Sequence, residues 1–261
     1  MTKNPFTRTY QLQQHTPIIH FQSEQKDATL RATELKPKLD KYILWEAYDN
    51  DFEKFKHLLV GFKGQTKEEL NHLALDYKVN IQVENVKTYD IPDKYPCFFA
   101  NMGEGKQKKF AMASGIKIEF FSKKKKILEQ IEELFPDFLM YHNFGTRQSK
   151  GFGAFYIDKN DPKYYSGGLE YFFEVDVSRE RSPERKWREV FSQIDLFYKS
   201  LRAGINVQDR YGPTFYFKSL AFKYANTFGS PTNVSNANQN QMIKIKNNPM
   251  KVRKRRYLNF D

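Results

Sequence analysis

The chain has 261 residues, with 43 Lys and Arg against 31 Asp and Glu, for a formal net charge of +12. That length admits one large domain or two of ordinary size, and the charge favours polyanionic partners such as nucleic acid over acidic small molecules. Aromatic residues make up 16% of the chain, enough ring area for a substantial core, while the single cysteine, Cys97, excludes a disulfide framework and a multi-cysteine metal site.

The N-terminus, Met1-Thr2-Lys3-Asn4-Pro5, lacks an apolar signal core, and no run approaches the ~18 apolar residues of a membrane span. The expectation is a cytoplasmic protein in a reducing compartment, without membrane contact. Residues 6–21 begin as a strand, with Tyr10 and Leu12 on one face and Thr9 and Gln11 on the other, until His15-Thr16-Pro17 breaks the ladder. Leu35, Leu39, Tyr42 and Ile43 then keep helical spacing, with Thr29 or Thr33 as the cap and Pro37 close to the start. Arg31, Lys36, Lys38 and Lys41 crowd the start and exposed side of that helix, where the plain alternative is a solvated face.

Residues 46–72 read as helical insertions around the Gly61–Gly64 turn. Leu73 to Thr88 alternates as a long strand, and Tyr95 to Ala100 is a short strand-like piece. Asn101 to Lys109 has the composition of a basic hairpin loop, and Phe110 to Ser122 reads as the next strand. Lys123 to Lys126 open a helical pattern whose stripe is Ile127, Ile131, Leu134, Phe135, Phe138 and Leu139, with Pro136 as a candidate kink. A strand from Gly153 to Ile157 follows. The order β-α-β-β-α-β predicts an α+β, ferredoxin-like (RRM-like) domain with insertions: an antiparallel sheet with two helices on one face.

Beyond a turn at Asp161-Pro162, a strand is expected over Leu169–Val177, a helix over Glu184–Ala203 and a strand over Thr214–Tyr224. This is part of a second similar unit, and predicts a division into 1–160 and 161–261. Ser230 to Gln241 has linker composition, and Lys244 to Arg256 holds a basic run without an acid; a further piece of the second unit is expected to be missing.

Between the second helix and the last strand lies His142-Asn-Phe-Gly-Thr-Arg-Gln-Ser-Lys-Gly-Phe-Gly153, where Gly145, Gly151 and Gly153 frame Arg147 and Lys150. Glycine admits positive φ and close backbone approach, successive N–H groups in such a loop converge on anions, and the two cations add full charge at its mouth. The plain alternative is a helix-to-strand connection with solvated basic residues.

Gly145-Thr-Arg-Gln-Ser-Lys-Gly-Phe-Gly153 resembles the glycine-rich loop of the RAMP superfamily of CRISPR-associated proteins, Gly-x-Arg-x-x-Lys/Arg-Gly-aromatic/aliphatic-Gly, and meets each position. Thr16-Pro17 and Arg31-Ala-Thr-Glu-Leu-Lys36-Pro-Lys-Leu-Asp are similar to the Thr-Pro start and the Leu-Lys helix of its type III (Cmr-like) subunits. The resemblance implies a subunit of a type III effector complex that holds guide (crRNA) or target RNA and contacts other effector subunits. It places RNA binding on Gly145, Arg147, Lys150, Gly151, Phe152 and Gly153, with Arg31, Lys36 and Lys38 lining the same surface. Phe144 and Phe152 are candidate base-stacking rings, with core packing as the alternative.

Some RAMP proteins cleave RNA, and a metal-independent endoribonuclease would need a histidine beside the attacked bond. The candidates are His15, His20 and His142, each with a structural role as the alternative; a protein-only scaffold is the third reading. No His/Cys cluster has metal-ligand spacing, so neither a metal nor another cofactor is expected; Glu170, Glu174 and Asp176 would share one strand face if that strand forms.

Overall fold

The structure is a computed structural model that describes residues 4–19, 29–70, 72–91, 95–97, 109–164, 173–208, 212 and 214–228. The chain divides into two compact units, Met1–Phe173 and Glu174–Asp261.

In the first unit, strands β1 (Thr7–Gln14), β2 (Lys78–Asp90), β3 (Lys109–Phe121) and β4 (Phe155–Ile157) form one sheet in the order β2-β3-β1-β4. Every neighbouring pair is antiparallel. Helices α1 (Ala32–Tyr48) and α3 (Lys125–Tyr141) pack on its inner face, so the ferredoxin-like order is realised. Period-two alternation sets β1: Tyr10, Leu12 and Gln14 are buried, while Gln11 and Gln13 face out. Opposite them Ile116, Ile118 and Phe120 of β3 enter the core, and α3 presents Ile127, Leu128, Ile131, Phe135, Phe138 and Leu139. Each such side chain contributes about 1.5–3 kcal/mol by leaving water, so this stripe is what holds α3 down.

The β1 edge beyond the three-residue β4 is closed by the segment that follows it, through one backbone bond and two side chains. Gln11 N donates to Asp161 Oδ2 (2.6 Å), Asp158 N donates to Gln11 O (2.8 Å), and Lys163 Nζ donates to Thr9 O (3.2 Å). The carboxylate stands in for a strand carbonyl and so blunts an otherwise open edge.

Local departures from the sequence reading have local causes. Helix α1 is capped by Arg31 without a side-chain bond rather than by Thr29 or Thr33, and it runs on to Tyr48. The insertion holds one short helix, α2 (Phe52–Phe55), and a 3₁₀ turn at Lys56–Leu58, after which Leu59 bridges Leu75. Tyr95–Cys97 is not strand: Pro96 has no N–H for a ladder and Cys97 has φ 59°. The basic loop at 101–108 lies outside the described residues.

The second unit contains α4 (Pro183–Tyr198), extended by a π-turn at Lys199–Ala203, then strands β5 (Ile205–Gln208) and β6 (Thr214–Phe217) as an antiparallel hairpin, and α5 (Leu220–Phe228). Ser182 caps α4 by accepting from Arg185 N, with Pro183 at its first turn. Two expectations are corrected here. Phe173–Val177 has no strand pairing, which removes Glu174 and Asp176 from a common strand face; Glu170 lies outside the described residues. The strand expected over Thr214–Tyr224 ends at Phe217, because from Leu220 the chain turns into α5, and β5 is a strand the sequence reading missed. The linker-like 230–241 and the basic run 244–256 lie outside the described residues.

Candidate nucleic-acid interface

The glycine loop leaves α3 at His142 and is built by close backbone approach. Gly153 has φ +73°, and a Cβ there would stand 1.8 Å from Phe144 O; one on Gly145 (φ +82°) would stand 2.6 Å from Ile18 Cγ1 and 2.8 Å from Ile19 O. No other residue fits either position without moving backbone. Between them Arg147 holds φ 59°, a left-handed conformation that residues with a Cβ avoid. Arginine is thus kept at a position where glycine or asparagine would be less strained.

Six of the loop's amides are bonded within the fold. Phe144 N donates to Gly153 O, Gly145 N to Glu34 Oε1, Thr146 N to Ile19 O and Gly153 N to Pro17 O, while Lys150 N and Gly151 N close the 3₁₀ turn on Arg147 O and Gln148 O. The convergent N–H cradle expected from the glycines is therefore corrected: these amides hold the loop together. Thr16 is the other clasp, buried, donating its hydroxyl to Gly151 O (2.6 Å) and accepting from Ala154 N (3.0 Å). The Thr16-Pro17 pair and the glycine loop, distant in sequence, form one structure.

Two side chains of α1 bolt the loop to the helix. Lys38 Nζ donates to Glu34 Oε1 (3.0 Å), Asn143 O (2.9 Å) and Gln148 Oε1 (2.9 Å), and lies 4.9 Å from the centre of the Phe144 ring. Glu34 Oε1 also accepts from Gly145 N (2.9 Å) and Gln148 Nε2 (3.2 Å). Glu34 and Lys38 are one helical turn apart, and Arg31 lies a turn beyond Glu34 on the same face.

Lys36 is two residues from Lys38, and at about 100° per residue it points the other way. Its ammonium donates to Asp40 Oδ2 (2.8 Å) and Leu75 O (2.8 Å), 4.0 Å over the Tyr77 ring. Burial raises the Asp40 carboxyl above its ordinary value, an effect the Lys36 ammonium opposes. The expected single basic surface of Arg31, Lys36 and Lys38 is thus corrected. Lys36 fastens α1 to the Leu75–Tyr77 segment, Lys38 fastens it to the loop, and Arg31, Arg147 and Lys150 remain partly exposed around the loop.

The ring candidates are corrected too. Phe144 and Phe152 are fully buried, Phe144 against Phe138 and Phe155, and Phe152 against Phe110. Neither offers a face to a base. His142 is half-buried: its Nδ1 is 2.9 Å from Phe138 O, and its ring stacks on Phe138 (4.5 Å) and meets Tyr42 edge-on (5.4 Å). Burial lowers its pKa, opposed by the Phe138 carbonyl and reinforced by Lys38 and Lys41. His15 is exposed and edge-on to Tyr156, and His20 lies outside the described residues. Among the described residues no group of three or more His, Cys, Asp and Glu is placed to hold a metal ion, and no helix is long and apolar enough to cross a membrane.

A β2-β3-β1-β4 antiparallel sheet with two helices on one face, its glycine loop clasped between Thr16 and the first helix, is a ferredoxin-like architecture. The family model of the Cmr1 N-terminal domain matches residues 6–205, and the chain belongs to that family, within the Cmr-like type III CRISPR-associated proteins. A solved chain similar to it comes from the cryo-EM structure of the Type III-B Cmr-beta bound to cognate target RNA, at 12% identity and a TM-score of 0.38. The match covers 59% of each chain, so this chain spans about three-fifths of that one. No curated protein matches.

Proposed function

We propose that the chain is an RNA-holding subunit of a type III CRISPR effector complex, gripping the ribose-phosphate backbone of guide or target RNA with Arg147 and Lys150. One observation carries this reading. The two cations stand on a turn whose backbone is fixed by Thr16 on one side and by Glu34 and Lys38 on the other, and Arg147 is held there in a strained backbone conformation. Charges on a preorganised loop bind a polyanion with less ordering entropy than charges on a mobile one. Membership in the Cmr1 N-terminal domain family supports the assignment to an effector complex, and with it contacts to other effector subunits.

With Phe144 and Phe152 in the core, recognition at this loop rests on phosphate contacts rather than base stacking, which gives little sequence preference. This function lies in the first unit, Met1–Phe173, to which Asp161 and Lys163 belong through their bonds to β1. The test is the affinity of Arg147→Ala/Lys150→Ala for single-stranded RNA, with circular dichroism to confirm folding. The expected result is a loss of about tenfold or more at low salt, equal across RNA sequences; wild-type affinity in the folded variant would remove the proposal.

A further inference from the structure

The first unit carries a second set of cations at the end of its sheet opposite the glycine loop. Thr7, where β1 begins, and Lys78, where β2 begins, both pair with Phe121 at the end of β3. The chain then passes Ser122 into α3, whose first turn continues the Lys123–Lys126 run. The glycine loop instead packs on Thr16 and Pro17, past the other end of β1. Helix α3 joins the two places, and its 17 residues span about 25 Å.

This corner is well defined. Ser122 N donates to Phe6 O (3.1 Å) and Ser122 Oγ to Asp76 O (2.8 Å). Lys124 Nζ donates to His57 O (2.9 Å) and Leu59 O (3.1 Å) and pairs with Asp76 at 3.3 Å, while Lys125 pairs with Glu129 at 3.4 Å. Those two lysines have carboxylate partners. Lys78, Lys123 and Lys126 are exposed and make no ion pair among the described residues. Beside them two large rings reach solvent: Phe6 is 47% exposed and Phe121 37%. The first turn of α3 has no acidic residue, although the helix dipole disfavours cations at that end; stability alone does not account for this composition.

We propose that Lys78, Lys123 and Lys126, with Phe6 and Phe121, form a second contact for single-stranded RNA, the lysines taking phosphates and the exposed rings stacking on bases. The ligand class rests on the RNA-holding reading above, but the residues are separate. Three exposed lysines without ion pairs among the described residues favour a polyanion, and unpaired bases stack on any aromatic face.

The experiment measures fluorescence anisotropy of a labelled oligouridylate of about 20 nucleotides, longer than a single compact contact requires, with heparin as a polyanion that has no bases. Lys78→Ala/Lys123→Ala/Lys126→Ala should weaken RNA binding about tenfold or more and reduce the slope of log affinity against log salt by about 2. Phe121→Ala should weaken RNA binding about tenfold while leaving heparin binding unchanged. Wild-type RNA affinity in the triple variant overturns the proposal and leaves the corner to a protein partner; wild-type RNA affinity in Phe121→Ala overturns the stacking. The loop variant Arg147→Ala/Lys150→Ala separates the two readings. If it binds normally while the corner variants do not, the loop assignment fails and the corner stands; the reverse pattern leaves the loop alone as the site.

Discussion

Lys38 shows how one residue changes meaning between sequence and structure. In the sequence it is one basic residue among several near the start of a helix; in the fold its ammonium joins Glu34, Asn143 and Gln148 and so positions the loop. Replacing it by Met keeps much of the stem but leaves the Glu34 carboxylate, only 19% exposed at its side chain, without its cation. The expected loss is about 2 kcal/mol in a denaturant titration, with RNA affinity falling because the loop is no longer held. A similar loss of affinity with full stability would instead make Lys38 a direct phosphate contact. His142 gives a pH signature. Burial lowers its folded-state pKa below the ordinary 6.5, so the unfolded chain takes up the proton first. Its contribution to stability is complete above 6.5 and is lost as pH falls through the lowered value. The drop in Tm between about pH 7.5 and about pH 5.5 should be smaller in His142→Gln than in the parent; an equal drop would show that His142 titrates alike in both states.

At the scale of elements, strong periodicity was legible and tertiary substitution was not. Strand β1, strands β2 and β3, helix α3 and helix α4 follow from alternation or a wide apolar stripe, because burial on one face writes itself into the spacing. The glycines' positions, and the need for them, were also readable. What they do was not: the amides that glycine spacing suggested for an anion bond to Thr16, Pro17, Ile19 and Glu34, which are remote in sequence. Likewise the sequence left Phe152, between two glycines, open to base stacking or core packing, and its buried ring packs on Phe110. The second unit was harder still, since the β-rich composition of Thr214–Phe217 runs on past Ser219, whose Oγ accepts from Phe222 N where α5 begins at Leu220. Its hairpin β5–β6 leaves Val207, Phe215, Tyr216 and Phe217 exposed. Two strands alone are marginally stable, so their amides should exchange with solvent much faster than those of β1 and β3. Equal protection in the isolated chain would contradict this account of the hairpin.

For the whole molecule, the net charge of +12 is not spread evenly in effect. Lys36, Lys38, Lys124 and Lys125 are paired with carboxylates, while Arg31, Arg147 and Lys150 lie partly exposed around the loop and Lys78, Lys123 and Lys126 lie exposed at the opposite corner. Charge count alone pointed to a polyanion; only the fold sorts internal bolts from outward contacts. The most direct measurement is the salt dependence of single-stranded RNA binding by the folded Arg147→Ala/Lys150→Ala protein beside its parent. Two lost phosphate contacts predict a slope of log affinity against log salt shallower by about 1.4. An unchanged slope would contradict the claim that the clasped glycine loop holds the RNA backbone.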